Sequence, residues 1–142
     1  MDLERLRYIR ETLDLTQREI ANTLNVSKST YGRWETGEKI IPIKHLIDLC
    51  NLANVSLDYA LGITNEKKKT IIKIVFNMTN IATKIKELRK NNNLTQEQLA
   101  NSINVARTVI SNYEHKRFPI QTAFIIDICR KYNVSADWLL DS

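Results

Sequence analysis

Leu15-Thr16-Gln17-Arg18-Glu19-Ile20-Ala21-Asn22-Thr23-Leu24-Asn25-Val26-Ser27 is the stretch that decides how this chain folds. Ile20, Ala21 and Leu24 stand at helical intervals. Thr16 and Glu19 have the three-residue spacing of a capping box, in which the hydroxyl accepts from a free backbone N–H and the third side chain reaches back. Leu24-Asn25-Val26 is too brief for a loop. It holds an asparagine, a residue tolerated in the left-handed conformation, so Leu24 and Val26 can point inward while Asn25 reverses the chain. Ser27 is a good N-cap for the helix that follows.

The stretch returns 79 positions later (94 minus 15). Leu94-Thr95-Gln96, Gln98, Ala100-Asn101 and Ile103-Asn104-Val105 occupy the same places. The register holds outward without a gap, from 5–62 onto 84–141. Arg10 recurs as Arg89, Glu35 as Glu114, Asp48 as Asp127, Cys50 as Cys129, and Asn54-Val55-Ser56 as Asn133-Val134-Ser135. Trp34/Tyr113 and Tyr59/Trp138 are conservative pairs. Ala106 replaces Ser27, which removes a cap worth about 0.5–2 kcal/mol. Ser56 and Ser135 cap a last short helix, with Asp58 and Asp137 in its first turn, where a carboxylate suits the helix dipole. The chain is a duplication of a unit of about 60 residues, a size that folds alone only marginally. The expected boundaries are a first domain at 1–62, a connector at 63–80 and a second domain at 81–142.

Composition agrees with an all-α fold. Of 142 residues, 43% are hydrophobic and 26% charged, the balance of a globular chain. Three glycines and two prolines are too few for the regular turns of a β-sandwich or barrel. Gly32 and Gly37 have the outer spacing of a phosphate-binding loop, but Glu38 intervenes before Lys39. No run approaches the ~18 apolar residues of a membrane span. The opening Met1-Asp2-Leu3-Glu4-Arg5 lacks a signal-peptide core. Cys50 and Cys129 are lone thiols and read as small buried residues. Together these predict a reduced, cytoplasmic protein.

The net charge is +5, from 21 basic and 16 acidic residues, which suits a polyanionic partner. It is unevenly spread: −1 over 1–64, +3 over 65–83 and +3 over 84–142. The connector is basic, then apolar. Its Ile71–Phe76 run is open to strand or helix, and as an exposed apolar strand it is a candidate contact for a homodimer.

Two short helices joined by the Asn25 or Asn104 turn form a helix-turn-helix. The chain here resembles the lambda-repressor/Cro-like helix-turn-helix domains, the XRE family. The resemblance rests on Leu15–Ala21, Asn25-Val26-Ser27, Trp34-Glu35-Thr36-Gly37 and Asn54–Gly62, and in the second copy on Leu94–Ala100, Tyr113-Glu114 and Asn133–Leu140. It implies two tandem five-helix lambda-repressor-like domains. In each, the third helix would enter the major groove of double-stranded DNA. Lys116 stands where the first copy has Gly37, and Pro119 precedes the position of Pro42, so the loop after the third helix is expected to differ.

By the same resemblance, Lys28, Ser29, Gly32 and Arg33 would face base edges from the first copy. Arg107, Thr108, Ser111 and Asn112 would do so from the second. Arg and Lys donate to guanine, Asn pairs with adenine, and Ser and Thr serve either. Gln17 and Gln96 correspond to phosphate-contacting positions, with Lys39, Lys116 and Arg117 adding phosphate contacts after the third helix. Arg10–Glu35 and Arg89–Glu114 would be partly buried ion pairs tying the first helix to the third. Trp34, Tyr113, Tyr31 and Ile110 read as core, and His45 and His115 as surface residues.

The expected function is sequence-specific DNA binding by a transcriptional regulator, of repressor type. The alternative is a protein-interaction module that kept the fold while one or both copies lost DNA affinity. No HExxH, nucleophile elbow, metal cluster or paired carboxylates suggest an enzyme, and no cofactor is expected.

Overall fold

The computed structural model describes residues 3–67 and 74–140, which form ten helices and no strand. Two compact units divide at the Ile74–Val75 bond. The first holds α1 (Leu3–Thr12), α2 (Gln17–Thr23), α3 (Lys28–Thr36), α4 (Ile43–Ala53) and α5 (Leu57–Ala60). The second holds α6 (Met78–Asn91), α7 (Gln96–Ser102), α8 (Arg107–Glu114), α9 (Thr122–Tyr132) and α10 (Ala136–Leu140). Among the described residues, no helix is long and apolar enough to cross a membrane, and no group of three or more His, Cys, Asp or Glu is placed to hold a metal ion.

Within the first unit, α1 packs on α3, α4 and α5, α2 on α3, and α4 on α5. The core gathers Leu6 and Ile9 of α1, Ile20 and Ala21 of α2, Tyr31 and Trp34 of α3, Leu46 and Leu49 of α4, and Leu57 and Leu61 at the end. In the second unit α6 packs on α8 and α10, α7 on α8, and α9 on α10. Ile81, Ile85, Leu99, Ala100, Ile110, Tyr113, Ile125 and Leu139 fill the equivalent space. Cys50 and Cys129 are buried, as expected.

Each cap and corner has a local cause. Thr16 and Thr95 form full capping boxes with Glu19 and Gln98. The Ser27 side chain accepts from Thr30 N–H, while Ala106 caps nothing. At the short turn, Asn25 and Asn104 are left-handed, with φ of 59° and 58°. The Val26 N–H donates to the Ala21 carbonyl at 2.9 Å and the Val105 N–H to the Ala100 carbonyl at 3.0 Å, closing a Schellman motif in each copy. Asp14 and Asn54, and their counterparts Asn93 and Asn133, turn two other corners in each copy the same way. Asparagine and aspartate are the non-glycine residues that accept this conformation at least cost.

The remaining corner departs from that rule. Gly37 has φ of 83°, and its counterpart Lys116 takes φ of 61° with a full side chain. The loop also differs as expected, because α8 ends one repeat position earlier than α3. A Schellman pattern closes the shorter helix: the Arg117 N–H donates to the Asn112 carbonyl at 2.9 Å and Lys116 N–H to Tyr113 at 3.1 Å.

Two sequence expectations change. His45 is half-buried, not on the surface: its ring lies 5.3 Å from that of Trp34, matching the Tyr113–Phe124 pair at 4.6 Å. An apolar repeat partner at the same helix position was the available signal. Of the Ile71–Phe76 run, residues 71–73 lie outside the described residues. Ile74 is buried within its own unit, while Val75 of the same run is exposed and both lie outside any strand or helix.

Lys116→Gly should stabilise the second unit by about 1 kcal/mol, because a non-glycine left-handed residue costs ~1–2 kcal/mol and glycine carries no such penalty. Thermal melting of the full chain measures it, and an unchanged or lower transition contradicts the strain.

Candidate nucleic-acid interface

α3 and α8 are nine and eight residues long, below the roughly 12–15 residues at which an isolated helix holds itself. Their aim is therefore set by packing. α3 buries Tyr31 and Trp34, and α8 buries Ile110 and Tyr113. Lys28, Ser29 and Arg33 remain exposed on α3, with Gly32 half-buried. Arg107 and Thr108 are exposed on α8, with Ser111 and Asn112 half-buried. Lys39, Lys116 and Arg117 are exposed in the loops beyond. The structure thus brings the expected residues of each copy onto or beside the outer side of one short helix.

An ion pair fixes each helix. Arg10 reaches Glu35 twice, at 2.7 and 3.2 Å, and donates to the Leu15 carbonyl at 2.9 Å. Arg89 does the same with Glu114, at 2.9 and 3.0 Å, and with Leu94 at 3.0 Å. One guanidinium thereby locks the first helix, the entry to the second and the end of the third. Side-chain exposure is 14% and 7% for Arg10 and Glu35, and 14% and 5% for Arg89 and Glu114, so both pairs are shielded from solvent. Burial pushes the Glu35 carboxyl up, but hydrogen bonds led by Arg10 outweigh it and hold it below the ordinary carboxylate value. Burial drives the Tyr31 hydroxyl beside it well above the ordinary phenol range.

The two glutamines at equivalent positions act differently. Gln17 Nε2 donates to Glu35 at 3.4 Å, so Gln17 belongs to the ion-pair cluster. Gln96 Oε1 instead accepts from Arg107 Nη1 at 3.3 Å, joining a phosphate candidate to a base candidate. At the position of Arg107 the first copy carries Lys28. A Cβ placed on Gly32 would meet the Gln17 side-chain oxygen at 3.7 Å, an ordinary contact, so packing does not require the glycine.

The flanking loops differ in charge. Arg33 of the first unit lies 3.7 Å from Glu38. At the position of Glu38 the second unit has Arg117, preceded by Lys116. The face of the second unit is accordingly the more cationic.

Another recurring contact escaped the sequence reading. Arg5 stacks on Tyr59, 4.2 Å from the ring centroid, and donates to the Tyr59 and Thr64 carbonyls at 2.7 and 2.9 Å. Lys84 lies 5.4 Å from the Trp138 ring and donates to the Trp138 carbonyl. Both pairs hold 79 apart, so a cation and an aromatic at matched positions were the legible signal.

A family model described as a helix-turn-helix matches residues 6–59, and one described as a helix-turn-helix domain matches 82–142. The chain is two helix-turn-helix domains of the XRE type in tandem. Its helix-turn-helix sequence is similar to that of YobD of Bacillus subtilis, an uncharacterised HTH-type transcriptional regulator. The two are 38% identical over 66 residues, covering 46% of this chain and 59% of YobD. Antitoxin PezA of Streptococcus pneumoniae is 40% identical over 55 residues, 39% of this chain and 35% of PezA. The cryptic phage CTXphi transcriptional repressor RstR of Vibrio cholerae is 25% identical over 73 residues, 50% of this chain and 65% of RstR. Each match spans less than two thirds of the relative's length. No solved structure matches the chain significantly.

Two outcomes follow. Because the folded Glu35 pKa lies below its unfolded value, its contribution is fully present above the ordinary carboxylate pKa of about 4.3. It is lost as pH falls through the lower folded value. Thermal melts below pH 5 should therefore show the first unit losing less stability in Glu35→Gln than in the wild type, relative to each protein at pH 7. Gly32→Ala should stabilise the same unit by about 1 kcal/mol through helix propensity, read as a higher melting temperature.

Proposed function

We propose that this chain is a sequence-specific double-stranded DNA-binding transcriptional regulator of repressor type, reading the major groove with α3 and α8. The observation that carries the reading is the outward row on each short helix. Basic, hydroxyl and amide side chains point away from a packed core, and a shielded two-point ion pair holds the helix at a set angle. A major groove accepts such a helix, and these side-chain types match its donor and acceptor pattern. Relatives named as transcriptional regulators and a repressor support the same class.

Base contact falls to Lys28, Ser29 and Arg33 on α3, and to Arg107, Thr108, Ser111 and Asn112 on α8. Phosphate contact falls to Gln17, Gln96, Lys39, Lys116 and Arg117. The Gln96–Arg107 hydrogen bond refines this division, since a glutamine on phosphate would also steady the neighbouring guanidinium. A second reading has a specific observation behind it. The first unit carries less positive charge, and its Arg33 already pairs with Glu38, which suits an interaction module that reads DNA weakly.

Selection from random DNA followed by affinity measurement tests the proposal. Arg107→Ala should relax preference at one base position by about 1–3 kcal/mol. Lys116→Gly should weaken all sequences alike and lower the salt slope by about one. Equal weakening of every sequence by Arg107→Ala contradicts its assignment to base reading. Absence of salt-dependent DNA binding by the full chain favours the interaction reading.

A further inference from the structure

Asn51 sits near the end of α4. Its Nδ2 donates to the Ile74 carbonyl at 2.9 Å, and its Oδ1 accepts the Ile74 N–H at 3.1 Å. The side-chain amide thus satisfies both backbone groups of one residue, as a neighbouring strand does in a sheet. The Ile74 side chain is 6% exposed. Asn51 has Arg130 as its repeat counterpart, so the clamp is not part of the repeated fold and belongs to the joined chain.

We propose that Asn51 is a positioning residue that sets which spacing between two half-sites the chain accepts. This rests on the DNA-reading function above. Ile74 is the last residue of the first unit, and Asn77 caps α6 by accepting from the Thr79 and Asn80 N–H groups at 2.9 and 3.3 Å. Only Val75 and Phe76 stand between these two fixed points. Three Cα steps reach at most about 10–11 Å. With the clamp absent, the preceding contact among the described residues is Lys67, whose ammonium lies 5.7 Å from the Tyr59 ring centroid. The path from Lys67 to Asn77 is ten steps, up to about 33–36 Å. The clamp shortens the working tether roughly threefold. Half-sites on one face of DNA lie about 34 Å apart, and the advantage of joining two binding units depends on whether the tether matches the span. A short tether restricts the chain to a narrow set of spacings. A long one accepts many, each at lower effective concentration.

Asn51→Ala in the full chain removes the clamp and keeps a good helix former in α4. Distance distributions between spin labels on Lys44→Cys and Lys90→Cys, both exposed, measure the tether without DNA, since Cys50 and Cys129 are buried. The Asn51→Ala distribution should broaden and extend to longer distances. On DNA carrying two half-sites separated by spacers of graded length, the wild type should favour a narrow range. Asn51→Ala should flatten that profile and lose about tenfold at the best spacer. A Gly-Ser insertion between Val75 and Phe76 leaves the clamp intact and should move the favoured spacer, which keeps the test valid if Asn51→Ala fails to fold. A wild type that binds no DNA refutes the regulator reading. A DNA-binding Asn51→Ala protein with an unchanged spacer profile and distance distribution, or an insertion that leaves the favoured spacer in place, refutes the positioning role alone.

Discussion

The two arginine–glutamate pairs are the constraint on which the rest of the structure depends. The third helix of each unit, α3 or α8, is too short to hold its own orientation, and its core face offers only two large side chains, Tyr31 and Trp34 or Ile110 and Tyr113. Apolar contact is non-directional and leaves a helix free to roll. The bidentate Arg10–Glu35 and Arg89–Glu114 contacts remove that freedom, and the third bond to Leu15 or Leu94 fixes the start of the second helix in the same frame. A shielded ion pair recovers little net stability after its desolvation cost. Its value here is a defined angle for the groups on the opposite face.

Around that frame the described residues turn at five left-handed corners in the first unit and four in the second. Eight of the nine use glycine, asparagine or aspartate, and Lys116 is the ninth. A strained backbone position carrying a cation at the end of α8 is the arrangement expected when charge at a site is retained at some expense in stability.

The duplication has changed its charges on its outer face. Its core keeps an aromatic contact at matched positions, Trp34/His45 and Tyr113/Phe124. On the surface, Glu38 has become Arg117 and Gly37 has become Lys116, while Gln17 and Gln96 have taken different partners. Packing couples every core substitution to several neighbours, whereas a solvent-facing charge changes with little structural cost. Two units of one fold can therefore present unlike surfaces.

The sequence by itself determined the repeat, the all-α class, the capping boxes and the Asn25 and Asn104 turns. All of these are local, or recur twice in one register, so residue spacing carries them, whereas the pairing of Arg10 with Glu35 was implied by the family resemblance and not by spacing. Tertiary structure alone decided three things. His45 was drawn under Trp34 because a half-apolar ring fills the space that Phe124 fills in the other copy. Gln96 and Arg107 met because α7 and α8 pack together. Asn51 captured Ile74 across 23 residues, a pairing with no repeat and no periodicity to announce it. Such contacts depend on where the folded chain brings two backbones together, and no local pattern in the residues encodes that meeting.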